Sequence, residues 1–162
     1  VKASDIMTPR TVVKAAHEQT TISDFYKENA NLRFSRIPIY EESKDHITGF
    51  FLKDQLLEAV ISEQGNEPLA SLKRNIMIVN ESFPLPELFS RLTKEREHIA
   101  LVVDEFGGMA GIVSMEDVIE TLIGMEFVDE YDNTTDMQAL ARKNWEKRAK
   151  ILGIIEESVN KS

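Results

Sequence analysis

The chain has 162 residues, 42% of them hydrophobic, with a formal net charge of −9 and no cysteine. The negative charge argues against sequence-independent nucleic-acid binding, which depends on neutralisation of phosphates by Lys and Arg. The absence of cysteine excludes disulfides, Cys-ligated zinc and thiol nucleophiles, and it fits a reducing compartment.

The first half of the chain predicts a strand, a helix, a hairpin and a second helix. Residues 1–10 read as a linker that ends near a proline. Residues 11–16 predict a strand, and the hydroxyls at 20–23 predict the start of a helix that ends near Asn29. A hairpin over 36–52 and a helix over 53–62 follow. We therefore assign residues 1–62 to a first unit with an N-terminal linker.

The second half repeats this order after a polar linker at residues 63–68. Gly107-Gly108 supplies the backbone freedom of a tight hairpin turn, and Ser114 opens a helix with apolar residues spaced three and four apart. The predicted elements of this second unit, 69–124, are strands at 76–79, 99–103 and 112–113 and helices at 84–94 and from 114.

The two halves are also similar residue by residue. Residues 36–42 align with 99–105 at an offset of 63, and 49–58 align with 111–120 at an offset of 62. We interpret this as a tandem repeat. Each repeat of about 55–60 residues is marginal as a separate core, so we expect the two to pack on each other.

The composition changes after Gly124. Residues 125–135 read as an acidic linker, and 136–162 predict an amphipathic helix with the apolar stripe Ala141, Trp145, Ala149 and Leu152. We expect this helix to dock on the domain or on a second subunit. The alternative is that its basic face lies near an anionic membrane surface.

Five motifs together resemble the tandem CBS domain pair (Bateman module) of the CorC/CNNM hemolysin-like family, over roughly residues 1–132. They are Asp5–Arg10, Ser35–Tyr40, Val102–Val113, Glu116–Glu120 and Val128–Asp132. The resemblance implies an α+β fold of two β-α-β-β-α repeats packed with pseudo-twofold symmetry, with the C-terminal helix beyond them. It also implies a homodimer, and a membrane domain involved in magnesium and cobalt transport or efflux in the same full-length protein. The chain starts at Val1, and we expect it to be a soluble piece of that longer protein, at the cytoplasmic face of the cell membrane.

The resemblance also implies an adenine nucleotide ligand, AMP or ATP, with or without Mg²⁺. In the family a Ser/Thr-x-x-Asp motif contacts ribose and phosphate, so we carry this role to Ser114 and Asp117. A helix start offers free N–H groups and a positive dipole end to phosphate. The other expected ligand-binding residues are His98, Ile99 and Ala100 around the adenine, Met7 and Thr8 as a cover, and Arg36 or Arg10 near the phosphates.

The first repeat departs from this motif. Leu52 occupies the position of Ser114, and Gln55 occupies that of Asp117. A leucine cannot cap a helix, and an amide is a poorer partner than a carboxylate for a diol. We expect one competent cleft, at Ser114 and Asp117, and one degenerate cleft.

Other interpretations stay open at this point. Ser114 and Asp117 could form only a helix cap, and the chain could be a ligand-free structural dimerisation module. Alternatively, Asp129, Glu130 and Asp132 could make it a direct sensor of divalent cations. An enzyme is disfavoured, because the three histidines, His17, His46 and His98, lack metal-ligand spacing and Ser114 lacks the glycines of a nucleophile elbow. We assign no catalytic residue, no metal ligand and no required cofactor.

Overall fold

The structure, a computed structural model, describes the backbone of residues 1–130 and Trp145, and the side chains of residues 1–125 and Trp145. The first part of the chain contains α1 (Ala3–Ile6), β1 (Thr8–Pro9), β2 (Ala16–His17), α2 (Ile22–Glu28), β3 (Arg36–Tyr40), β4 (Ile47–Leu52) and α3 (Lys53–Ile61). A 3₁₀ turn (Leu69–Leu72) precedes β5 (Met77–Asn80), α4 (Leu85–Glu95), β6 (Ile99–Val103), β7 (Met109–Ser114) and α5 (Met115–Glu130).

The strands form two sheets, one for each repeat. The first sheet has the order β2-β3-β4, and the second has the order β1-β7-β6-β5. In both repeats the first strand is parallel to the second, and the second and third form an antiparallel hairpin. Helices α2 and α3 pack together in the first repeat, as α4 and α5 do in the second. The predicted α+β fold with two β-α-β-β-α repeats is therefore confirmed.

Each repeat has a core of its own, and a third apolar cluster joins them. Fully buried side chains such as Phe51 and Leu56 fill the first repeat, and Leu88 and Val102 are among those that fill the second. The joining cluster contains Val13 and Ile47 from the first repeat together with Leu101 and Met109 from the second. Burial of these side chains holds the two repeats together.

The segment before each repeat packs on the other repeat, in an arrangement that obeys the pseudo-twofold symmetry. The Ala3 amide donates to the Phe83 carbonyl at 2.9 Å, and the Leu69 amide donates to the Thr20 carbonyl at 2.8 Å. Thr8 pairs with Ile112 of β7, just as Arg74 pairs with Phe50 of β4. The N-terminal residues expected to be a linker of the first repeat are therefore an edge of the second.

The predicted first strand over 11–16 is wrong. The residues on either side of this segment pair in different sheets. Pro9 lies opposite Gly111 in the second sheet, and Ala16 lies opposite Ile39 in the first. The chain crosses from one sheet to the other between these points, with a turn in which the Val12 amide donates to the Pro9 carbonyl at 2.9 Å. The β-branched residues here indicated a strand, but no neighbouring strand continues along them.

Two further boundaries differ. The last strand of the second hairpin spans Met109–Ser114, longer than the predicted 112–113, because its pairing with β6 extends to Met109. Helix α5 continues through Gly124 to Glu130, so the first residues of the predicted acidic linker are helical. Apart from Trp145, which is helical and about half exposed, the predicted C-terminal helix over 136–162 lies outside the described residues.

Candidate ligand site at the second helix start

A cleft of about 290 Å³ lies between the two repeats, at the start of α5. One side comes from the crossing segment after β1 and from the loop before β3, and the other side comes from β6, β7 and α5. The lining residues are Thr8, Val12, Val13, Lys14, Arg33, Phe34, Ser35, Arg36, Pro38, His98, Ile99, Ile112, Ser114, Glu116 and Asp117. A ligand in this cleft contacts both repeats.

Ser114 ends β7 and caps α5. Its Oγ accepts from the amide of Asp117 at 3.2 Å, and the Met115 amide donates to the His98 carbonyl at 2.9 Å. Ile99 is directly opposite Ser114 in the β6–β7 ladder, which places the entry of β6 beside the helix start. The first turn therefore presents its positive dipole end and the Asp117 side chain to the same cleft.

Three cationic side chains converge on this cleft from the first repeat: Lys14, Arg33 and Arg36. Within residues 1–125, none of them forms an ion pair or a side-chain hydrogen bond. Arg10, the other cation considered for the phosphates, instead pairs with Asp45 and does not line the cleft. Since the chain has a net charge of −9, unpaired cations at one cleft favour an anionic ligand.

The rest of the wall is apolar and partly accessible. Phe34 is 53% exposed and Val12 is 63% exposed, whereas Ile99 and Pro38, which also line the cleft, are buried. Exposed apolar side chains at the mouth of a charged cleft are typical of a site for a ligand with a flat apolar part and an anionic part.

Most of the predicted site residues meet in this cleft. The structure brings together six of the eight: Ser114, Asp117, His98, Ile99, Thr8 and Arg36. The other two are placed elsewhere. Ala100 is fully buried in the core of the second repeat, and Met7 packs against that core near Gly111.

Sequence reasoning missed Lys14, Arg33 and Phe34. The repeat offset of 63 relates Ser35 to His98 and Arg36 to Ile99, and the structure places both members of each pair at this cleft. The alignment alone does not predict this, because Leu52 and Gln55, the equivalents of Ser114 and Asp117, do not line it.

Comparisons of the sequence and of the structure with known proteins indicate the same family. A family model described as CBS domain matches residues 69–124, the second repeat. A UPF0053 protein of Synechocystis is 36% identical over 152 residues, which are 94% of this chain and 44% of that protein. The magnesium and cobalt efflux protein CorC of Escherichia coli is 32% identical over 150 residues, 91% of this chain and 51% of that protein.

A solved structure decides the family. It is the CBS domain of a bacterial CNNM/CorC family Mg²⁺ transporter in complex with ATP, 37% identical, with a TM-score of 0.72. The match covers 76% of this chain and 88% of that one. The chain belongs to the CBS domains of the CNNM/CorC family. It spans about half the length of the relatives from Synechocystis and E. coli.

The equivalent helix start in the first CBS repeat lacks the hydroxyl of Ser114 and the carboxylate of Asp117, because Leu52 and Gln55 occupy those positions. Leu52 precedes α3 and makes no side-chain capping hydrogen bond, as predicted from its side chain. Gln55 lies in a different depression, of about 440 Å³, together with Ser62, Lys73 and Arg74. That the equivalent cleft is degenerate stays a prediction.

Among the residues that the structure describes, no group of three His, Asp or Glu side chains is arranged to hold a metal ion. The side chains of Asp129, Glu130 and Asp132 lie outside that part of the chain. No described helix is long and apolar enough to cross a bilayer.

Proposed function

We propose that this CBS pair is a regulatory module that binds an adenine nucleotide in the cleft at the start of α5. The module controls a membrane domain of the same full-length protein that takes part in magnesium or cobalt transport. It works by binding rather than catalysis, at the cytoplasmic face of the membrane, and it forms a homodimer.

The convergence of unlike chemical groups on one cleft carries this proposal. The apolar surfaces of Phe34, Val12 and Ile99 suit a planar base. Asp117 can accept hydrogen bonds from ribose hydroxyls, and the capped start of α5 at Ser114 attracts phosphate.

The unpaired cations of the cleft suit the phosphate groups of a nucleotide. Lys14, Arg33 and Arg36 neutralise an anionic group, and a guanidinium binds phosphate through two parallel hydrogen bonds. These three cations outnumber the two carboxylates of the cleft, Glu116 and Asp117, so an excess of positive charge faces an anionic ligand.

The family relationship supports the same ligand class. The CBS domain that is 37% identical to this chain was solved as an ATP complex. The relatives are about twice as long as this chain, and one is named a magnesium and cobalt efflux protein. A transport protein with a soluble nucleotide site has a means of coupling ion movement to the state of the cell.

The crossing segment offers a route for this coupling. Thr8 lines the cleft, and the residues before it lie along the second repeat as α1 and β1. A ligand that contacts Thr8 favours one position of the whole segment, and with it one arrangement of the two repeats. A ligand can shift such an equilibrium only by its difference in affinity between the two arrangements.

Calorimetric titration with AMP, ADP and ATP, each with and without Mg²⁺, tests the proposal. We expect one site per chain, and we expect Asp117→Ala to weaken binding by about tenfold or more, because hydrogen bonds to a charged group are lost. Gln55→Ala, at the equivalent position of the first repeat, is the matched control and should leave affinity unchanged.

Thermal unfolding of both variants establishes that they remain folded. Absence of binding by the folded wild-type chain contradicts the proposal. Sedimentation of the same sample then tests the ligand-free dimerisation module, and Mg²⁺ titration without nucleotide tests the direct cation sensor.

A further inference from the structure

A second depression adjoins the cleft on the side of the first repeat. It has a volume of about 470 Å³ and lies at the end of α2. Its lining residues are Lys14, Lys27, Glu28, Asn29, Ala30, Asn31, Leu32, Arg33 and Phe34. Lys14, Arg33 and Phe34 also line the cleft, so the two spaces lie next to each other and share these three side chains.

The residues that line the second depression carry a net positive charge. Lys14, Lys27 and Arg33 face one carboxylate, Glu28. Lys27 is exposed in the last turn of α2 and, within residues 1–125, forms no ion pair or side-chain hydrogen bond. The end of a helix carries only about half a negative charge. The three cations therefore outweigh Glu28 and the helix end together.

The cleft by itself is small for a nucleotide with several phosphates. Its volume of about 290 Å³ is at the lower limit of ligand pockets, which range from about 300 to 1,000 Å³. Extra phosphates need more space and more positive charge. The adjacent depression at Lys27 has additional volume and additional positive charge.

We infer that the phosphate chain of the nucleotide extends past Lys14 and Arg33 to Lys27. Lys27 is a specificity-determining residue, and it favours nucleotides with several phosphates over a monophosphate. This inference rests on the proposed function, because it assumes that the base and the ribose occupy the cleft.

Titration of the full chain with AMP and with ATP, both without Mg²⁺, tests the role of Lys27. Lys27→Gln should weaken ATP binding by about two- to fivefold, the range of a solvent-exposed ion pair, and should leave AMP binding unchanged. Raising the salt concentration should reduce this difference, because exposed charges are screened.

Lys94→Gln is the matched control. Lys94 is an exposed lysine in the last turn of α4, so its replacement changes the net charge and the helix end in the same way. It lines neither the cleft nor the second depression. Its replacement should leave the ratio of ATP to AMP affinity unchanged.

The outcomes separate this inference from the proposed function. If ATP and AMP both bind the wild-type chain and Lys27→Gln leaves their affinity ratio unchanged, the extension to Lys27 is wrong while the nucleotide site stands. Equal weakening of AMP and ATP also contradicts it. If neither nucleotide binds, the proposed function fails first.

Discussion

At the scale of single residues, an ion pair between Glu18 and Lys73 helps to hold the two repeats together. Glu18 is buried, and its carboxylate contacts Lys73 Nζ at 3.0 Å and accepts from Thr48 Oγ1 at 3.2 Å. The hydrogen bond from Lys73 lowers the pKa of Glu18 below its ordinary value of 4.5, and burial opposes this by raising it. Lys73 lies at the start of the second unit, just before β5, so this ion pair connects the second unit to the first.

The lowered pKa predicts a pH dependence of stability. Between the folded-state pKa and 4.5 the unfolded chain binds more protons, so the free energy of unfolding rises with pH there. The contribution of Glu18 is complete above pH 4.5 and is lost as pH falls through the folded-state pKa. Urea unfolding between pH 3 and pH 7 should show that Glu18→Gln is less stable at pH 7 and declines less towards low pH.

Glu95→Gln is the control for this pH series. Glu95 pairs with Arg91 on the exposed face of α4 at 2.8 Å, and such helix pairs contribute about 0.2–0.5 kcal/mol. Its pH profile should run close to that of the wild type. A Glu18→Gln profile parallel to the wild type would contradict the role of the ion pair.

At the scale of elements, two glycines allow the crossing segments to approach the sheets. A Cβ on Gly111 would overlap the carbonyl oxygen of Thr8 and lie 2.8 Å from Met7 Sδ. A Cβ on Gly49 would overlap the Arg74 carbonyl oxygen and lie 2.7 Å from Lys73 Cγ. Both obstacles include backbone, so the segment itself has to move if either glycine is replaced.

These contacts predict a paired effect of alanine substitution. Gly49→Ala and Gly111→Ala should each lower the free energy of unfolding by about 1–3 kcal/mol, the cost of overpacking. Only Gly111→Ala should also weaken nucleotide binding, because it displaces Thr8 from the cleft. Urea unfolding and calorimetry measure the two effects separately.

Gly124→Ala is the matched control for the glycine pair. It lies inside α5, and among the residues that the structure describes nothing beyond its chain neighbours and its own helix backbone lies within 4 Å of an added Cβ. Its replacement should stabilise the chain by about 0.5–1 kcal/mol. Equal weakening of nucleotide binding by Gly49→Ala and Gly111→Ala would contradict a specific role for the segment at Thr8.

The elements also show what the sequence could and could not predict. The helices and hairpins were predictable because their apolar spacing and caps are local, as at Thr21, whose Oγ1 accepts from the Asp24 amide at 3.1 Å. The packing of each leading segment on the other repeat was not predictable. It depends on backbone hydrogen bonds, such as that from the Ala3 amide to the Phe83 carbonyl, which produce no recognisable pattern of side chains in the sequence.

The candidate site likewise contains residues that the sequence predicts and residues that it does not predict. Ser114 and Asp117 belong to a short motif that the sequence shows directly. Lys14 and Arg33 are exposed cations far from that motif in the chain, and only the packing of one repeat on the other brings them to it. The side chain of Ala100 is fully buried in the core of the second repeat, so any contact of this residue with a ligand stays a prediction.

At the scale of the whole molecule, the cleft is lined by residues of both repeats, so the proposed ligand would contact both. The joining cluster of Val13, Ile47, Leu101 and Met109 lies where the crossing segment passes between the sheets. Lys14 follows Val13 directly and reaches the cleft. A ligand held between the repeats therefore opposes their separation, and at a hundred times its Kd it adds about 2.7 kcal/mol to stability.

Hydrogen exchange with and without ATP tests this coupling. Amides in residues 8–14 and 33–36 should gain protection together with those at 114–117, because the ligand restrains walls from both repeats. Amides at the start of α3, residues 52–55, should change little, since Leu52 and Gln55 line no part of the cleft. Protection confined to 114–117 would place the ligand on the second repeat alone. The crossing segment would then make no direct contact with the ligand, and the proposed control of a membrane domain would have to act through another contact.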